Sequence, residues 1–305
     1  MTTVNLAVNV AGIEMKNPLL TASGTYGFGY EYTDFYPPEV LGALVTKTIR
    51  LQEFPGNPPP RIAEAPAGLI NGVGIPSKGW EYYLREDVPR IRKLGLPIIQ
   101  SIVGKTLEEY LELAEKLEGL DFLAGVELNL SCPNLKAGGL SMGLDPELVY
   151  DLVQKVRAKT SHTLIAKLTP NTADVVGLAK AAEAAGADCL AMINTVKAMA
   201  IDIRTRKLIL GNITGGLSGP AVKPIALCQI WEVYEAVKIP IIGMGGATDY
   251  RDVIEFLLAG ARAVALGTVN FIDPGAAPRI LADLEKYLVE NNVKDINELV
   301  GAAHS

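Results

Sequence analysis

Residues able to do chemistry stand just beyond a series of apolar runs. One run ends at Ser23, the next at Lys47-Thr48, a third at Ser101, and a fourth opens into Asn129-Leu130-Ser131-Cys132-Pro133-Asn134. Later runs end at Lys167, Asn194-Thr195, Gly245-Gly246 and Gly267-Thr268. The set holds lysines, amides and one thiol, with neither histidine nor carboxylate. It therefore suits an anionic, hydrogen-bond-rich ligand better than a divalent metal. Cys132 lies in a Pro/Asn loop, where a thiol can face substrate as nucleophile or general base, and a nearby lysine would favour its thiolate. Glycine pairs expose backbone amides that approach phosphate oxygens closely, and Gly215-Gly216-Leu217-Ser218-Gly219-Pro220, just before a helix, offers a third such loop. Cys189 and Cys228 fall in apolar patterns and read as small buried hydrophobes. His162 and His304 read as surface residues, the former at the end of the fold away from the chemistry.

These groups need elements that bring them together. Short apolar runs predict strands at Pro18–Ala22, Ala43–Thr46, Pro97–Ile102, Gly125–Leu130, Thr163–Leu168, Asp188–Ile193, Pro240–Met244 and Ala263–Gly267. Helical patterns fall between most of them, at Trp80–Leu94, Thr106–Leu117, Asp145–Lys159, Thr172–Ala185, Ala221–Val237, Asp249–Ala259 and Ala276–Glu290. Thr106 and Asp145 are N-cap types, and Gly186 is a candidate C′ glycine. Alternating strands and helices predict one α/β domain over residues 1–305, a (β/α)8 TIM barrel whose strand C-termini share one site. The alternative, a doubly wound open sheet, lacks Gly-x-Gly-x-x-Gly after the first strand. Residues 4–16 predict an N-terminal hairpin turning at Ala11-Gly12 and plugging the barrel bottom. Two long inserts, Ile49–Gly79 and Val196–Gly219, follow strands on the active-site side, where long loops are usually functional.

Composition narrows the class further. The 28 basic and 34 acidic residues leave a net charge of −6, which argues against a nucleic-acid surface. Three cysteines in 305 residues make no disulfide framework and, with no Cys-x-x-Cys, no four-cysteine iron–sulfur site. Mean hydropathy is high at +0.23, yet no apolar run approaches the ~20 residues of a membrane span. Parallel strands buried on both faces account for it. No signal peptide is visible, so the expected compartment is the cytoplasm.

Taken together, Asn129-Leu130-Ser131-Cys132-Pro133-Asn134, Thr46-Lys47-Thr48, Asn71-Gly72-Val73-Gly74-Ile75 and Gly243-Met244-Gly245-Gly246 resemble the dihydroorotate dehydrogenase family, from Asn17 to about His304. Thr214–Ala221 and the tail Gly301–His304 resemble the class 1B, NAD-dependent catalytic subunits. The resemblance implies FMN at the barrel mouth. Ser23, Lys47, Thr48, Ser101, Asn129, Lys167 and Ile193 would line the flavin, and Gly219, Gly245, Gly246, Gly267 and Thr268 would hold its phosphate. Lys47, Asn71, Gly72, Val73, Gly74, Ile75, Asn129, Asn194 and Thr195 would bind dihydroorotate, with Cys132 as the base for its C5 proton. It also implies a homodimer of this chain and a partner subunit carrying FAD and a [2Fe–2S] cluster, two of each chain in a heterotetramer that passes electrons to NAD. Two positions depart from the family pattern: Ser101 stands where Asn is common, and Ile75-Pro76-Ser77-Lys78-Gly79 replaces a class 1B sequence such as Leu-Gln-Asn-Pro-Gly. The alternatives are a class 1A enzyme that reduces fumarate directly, another Cys-based flavin barrel acting on dihydropyrimidines, and a flavin-free phosphate-binding barrel using a Schiff-base lysine.

Overall fold

The computed structural model describes residues 4–130, 136–137 and 140–304. Eight parallel strands form one sheet: β1 (Leu19–Thr21), β2 (Leu44–Val45), β3 (Ile98–Ile102), β4 (Leu123–Asn129), β5 (Thr163–Lys167), β6 (Cys189–Met192), β7 (Ile241–Met244) and β8 (Ala263–Leu266). They run in order from β2 through β8, with β1 beside β8. Closure between β1 and β2 comes from a Leu20–Ala43 bridge and from the Thr21 hydroxyl, which donates to the Val45 carbonyl at 3.0 Å and accepts the Val45 N–H at 3.1 Å. The sheet is thus a barrel. Its short strands are apolar and almost wholly buried, as expected where helices cover one face and packed side chains the other.

Six long helices wrap it: α1 (Leu107–Glu118), α2 (Pro146–Arg157), α3 (Val175–Ala184), α4 (Lys223–Tyr234), α5 (Tyr250–Leu258) and α6 (Ala276–Glu290). Side-chain caps start several of them: Thr106, Asp145 and Asp174 accept from the backbone, and Asp249 and Asp252 form a full capping box before α5. Gly186 (φ +96°) ends α3, with the Ala187 N–H reaching back to the Ala182 carbonyl.

The structure differs from expectation in three places. Trp80–Leu94 is not one α-helix. Its helical segments at Trp80–Tyr82 and Val88–Ile91 flank a π-turn over Tyr83–Asp87. Pro89 has no N–H for the Arg85 carbonyl, and the Val88 N–H bonds Tyr83 instead. Between β1 and β2, where no helix is predicted, the chain makes two 3-10 turns, Tyr30–Tyr32 and Pro38–Val40. Cys228 is exposed on α4, its thiol 3.7 Å from the Glu232 carboxylate, whereas Cys189 is fully buried in β6. His304 is docked rather than loose. It stacks on Trp231 with ring centroids 3.5 Å apart and bonds the Ala259 carbonyl at 3.1 Å, locking the tail across α4 and α5.

The hairpin Val8–Val10/Ile13–Met15 turns at Ala11 and Gly12, both at positive φ, and sits under β4 and β5. There the Thr163 hydroxyl donates to the Ala11 carbonyl, and a Cβ on Gly125 would lie 3.2 Å from Ile13. At the other end the two inserts join. Ile62–Ala65 and Gly68–Asn71 pair antiparallel with each other and then with Gly215–Ser218 and Val196–Ala198, forming a four-stranded canopy over the barrel mouth. Ala63, Ile70 and Leu210 give the canopy its own small core. Among the described residues, no helix is long and apolar enough to cross a membrane.

Candidate active site

Between the strand C-termini and the canopy lies a cavity of about 660 Å³. Of the residues expected to act there, Ser23, Lys47, Thr48, Asn129, Lys167, Ile193, Asn194, Thr195, Gly245, Gly246, Gly267 and Thr268 line it from the barrel. Asn71, Gly72, Val73, Gly74, Ile75 and Gly219 line it from the inserts. Ser101 does not. It is fully buried behind Thr48, and the two hydroxyls meet at 2.9 Å. Cys132 lies outside the described residues, three positions beyond Asn129. A second cavity of about 600 Å³, at the barrel bottom beside Ala11, Lys238 and Arg262, has none of these groups.

The barrel floor is polar and buried. Lys167 ends β5 opposite Asn129 of β4, and its ammonium donates to the Ser23 hydroxyl at 2.8 Å. Glu127, two residues below Asn129 on the same face of β4, places its carboxylate 3.7 Å from that ammonium, with both side chains 5% exposed or less. A carboxylate so deep in a barrel needs a counter-ion, and Lys167 supplies it. An ammonium has three donors, so Lys167 keeps donors for a ligand above it. Beside it the Asn194 amide donates to the Asn129 side-chain oxygen at 3.2 Å, while Tyr110 of α1 donates to the Asn129 carbonyl at 2.7 Å. Gln100, fully buried in β3, donates to the Lys47 carbonyl and accepts from Thr46. The Lys47 ammonium reaches the Pro76 carbonyl. Its pKa is lowered, first by burial; Asp87 opposes the shift and Arg50 adds to it.

Opposite the floor is a backbone cradle. Gly246 sits at φ +96°, and a Cβ there would lie 2.8 Å from the Gly219 carbonyl oxygen and 3.1 Å from the Lys223 nitrogen. Only glycine allows β7, the canopy and the start of α4 to approach so closely. At Gly267 a Cβ would meet nothing nearer than Ala22 at 3.8 Å, which leaves open space at the end of β8. The Thr268 hydroxyl donates to Ser218 at 2.7 Å, tying β8 to the canopy. Lys223 adds no charge to the cradle, because Asp252 and Glu255 each hold its ammonium at 2.6 Å. The cradle thus offers amides and a helix N-terminus, a combination suited to phosphate.

The family model for dihydroorotate dehydrogenase matches residues 5–288. This chain belongs to the dihydroorotate dehydrogenase family. It is 53% identical over 301 residues to the protein of Desulforudis audaxviator named dihydroorotate dehydrogenase B (NAD(+)), catalytic subunit, covering 99% of this chain and 98% of that one. Proteins of the same name from Geobacter sulfurreducens, at 49% identity and 98% coverage of both chains, and Desulforamulus reducens, at 49% and 99%, are similar over their full length.

The residues present fit the FMN expected of a dihydroorotate dehydrogenase. The niche beside Gly267 is one that a side chain would fill, the cavity lies within the roughly 300–1,000 Å³ of ligand pockets, and Lys167 keeps donors free at its floor. Sequence reasoning missed Glu127, Gln100 and Thr46, which position the lysines from below. The signal was there for Glu127: a charged residue inside an otherwise apolar buried strand. It also missed Asn57, Asn171 and Lys197, which line the cavity from the loops.

Proposed function

We propose that this chain oxidises dihydroorotate to orotate with FMN in pyrimidine biosynthesis and passes the electrons to NAD through a partner subunit. One observation carries the reading: a bonded Asn129–Asn194 amide pair, the buried Lys167, the half-buried Lys47 and a glycine cradle share a single cavity. Full-length likeness to catalytic subunits of the NAD-dependent enzyme supports it. Dihydroorotate presents ring N–H and C=O groups and a carboxylate. The Asn129 and Asn194 amides match the ring edge, Asn71 and the segment to Ile75 close over it with Thr195, and Lys47 takes the carboxylate. Cys132 accepts the C5 proton on its sulfur; a thiol suits a base working near neutral pH. Bound FMN supplies the acceptor for the hydride leaving C6, so that the C5–C6 double bond forms. Ser23, Thr48, Lys167 and Ile193 hold the flavin, with Ser101 supporting Thr48 from behind, and Gly219, Gly245, Gly246, Gly267 and Thr268 hold its phosphate.

With three cysteines this chain holds no four-cysteine cluster, so the [2Fe–2S] centre belongs to the partner, which also carries the FAD. The proposed assembly is a cytoplasmic heterotetramer around a homodimer of this chain. Orotate formation with NAD as acceptor should require the partner. Efficient fumarate reduction by the chain alone, with no partner bound, would place it in class 1A instead.

A further inference from the structure

We propose that Arg50 is a positioning residue for substrate: it holds the Gly74–Ile75 turn in the conformation that lines the cavity, without touching substrate or FMN. This rests on the assignment of Asn71–Ile75 to dihydroorotate. Arg50 lies just past β2 and is 3% exposed. Its Nε donates to the Ile75 carbonyl at 2.9 Å and its Nη2 reaches the Gly74 carbonyl at 3.4 Å. Its backbone N–H meets the Ser77 hydroxyl at 3.2 Å, and its guanidinium lies over the Phe54 ring, 4.6 Å from the centroid. Arg50 itself does not line the cavity.

The segment it grips is held against its own preference. Gly74 has φ +81° and Ile75 φ +56°. Positive φ suits glycine, but a β-branched side chain there is a genuine outlier that surroundings must enforce. The carbonyls of Gly74, Ile75 and Pro76 in succession accept from cations at the end of β2: the first two from Arg50 and the third from Lys47. Lys47 has three donors to share between Pro76 and a substrate carboxylate. Arg50 is the fork on this turn, and a planar guanidinium fixed by a ring face suits that task where an ammonium does not.

The test is titration of the FMN-loaded protein with orotate, read by the flavin spectrum, with FMN affinity measured separately by fluorescence. R50Q should bind orotate about tenfold more weakly, a change of the size expected for lost charge-assisted hydrogen bonds, and hold FMN within about twofold of wild type. R50K keeps the charge but loses the fork, and should fall between the two. Because glycine relieves the strained turn, R50Q should cost less orotate affinity when made in I75G than when made in wild type. Orotate binding by R50Q within about twofold of wild type would overturn the proposal. So would parallel loss of FMN, which would make Arg50 a general support of the barrel mouth. An equal cost of R50Q in both backgrounds would overturn the role of the strained turn. Wild-type protein that binds FMN but no orotate would instead remove the functional reading beneath it.

Discussion

At Cys132 the account depends on one atom, a thiol three residues past the Asn129 amide. Cys132→Ala should retain FMN and lose roughly 10²–10⁴-fold in the rate of flavin reduction by dihydroorotate near pH 7, measured by stopped flow. Unchanged kinetics would take Cys132 out of the base role. Below the site, Glu127 and Lys167 form a buried pair, and removing one partner leaves the other uncompensated. Glu127→Ala should cost about 3 kcal/mol in urea unfolding, near the low end for a broken buried pair. A cost under about 1 kcal/mol would make the pair incidental. Single residues were legible here where they broke a pattern, such as lysines and amides closing apolar strands. Glu127 broke the same pattern two residues earlier and was masked by the strand around it. Cys228 misled because α4 is apolar on several faces, so its sequence did not say which face turns inward.

At the level of elements, the strands were readable because each is a short apolar run bounded by glycine, proline or charge. The canopy was not, because its central pairing joins Asn71 to Gly216, and no local periodicity encodes a contact between separate inserts. The π-turn before Pro89 was likewise hidden inside a helical pattern. Caps give testable energies. Asp249→Ala removes a full capping box and should destabilise α5 by about 1 kcal/mol. At the end of α1, Glu118 accepts from the Ser161 hydroxyl and N–H and from Thr160. These bonds, the Ser161 hydroxyl foremost, push its pKa from 4.5 down to about 2. A carboxyl depressed on folding stabilises the fold above its unfolded pKa and loses that contribution as pH falls through the folded value. Glu118→Gln should therefore lower stability at neutral pH, with the deficit closing between about pH 4.5 and 2. A deficit that persists unchanged to pH 2 would contradict this reading of the turn.

Across the whole molecule, one closed barrel gathers distant segments into a single mouth, with a hairpin beneath and a docked tail at its side. The high hydropathy of the chain is explained by strands buried on both faces. FMN binds only the folded barrel, so free FMN at a hundred times its dissociation constant should stabilise the apoprotein by about 2.7 kcal/mol. The central claim is that this cavity brings dihydroorotate to a bound flavin, and anaerobic mixing of the FMN-loaded chain with dihydroorotate tests it most directly. The account predicts rapid bleaching of the flavin's visible absorption with orotate formed in equal amount. Flavin that stays oxidised under saturating dihydroorotate would contradict it.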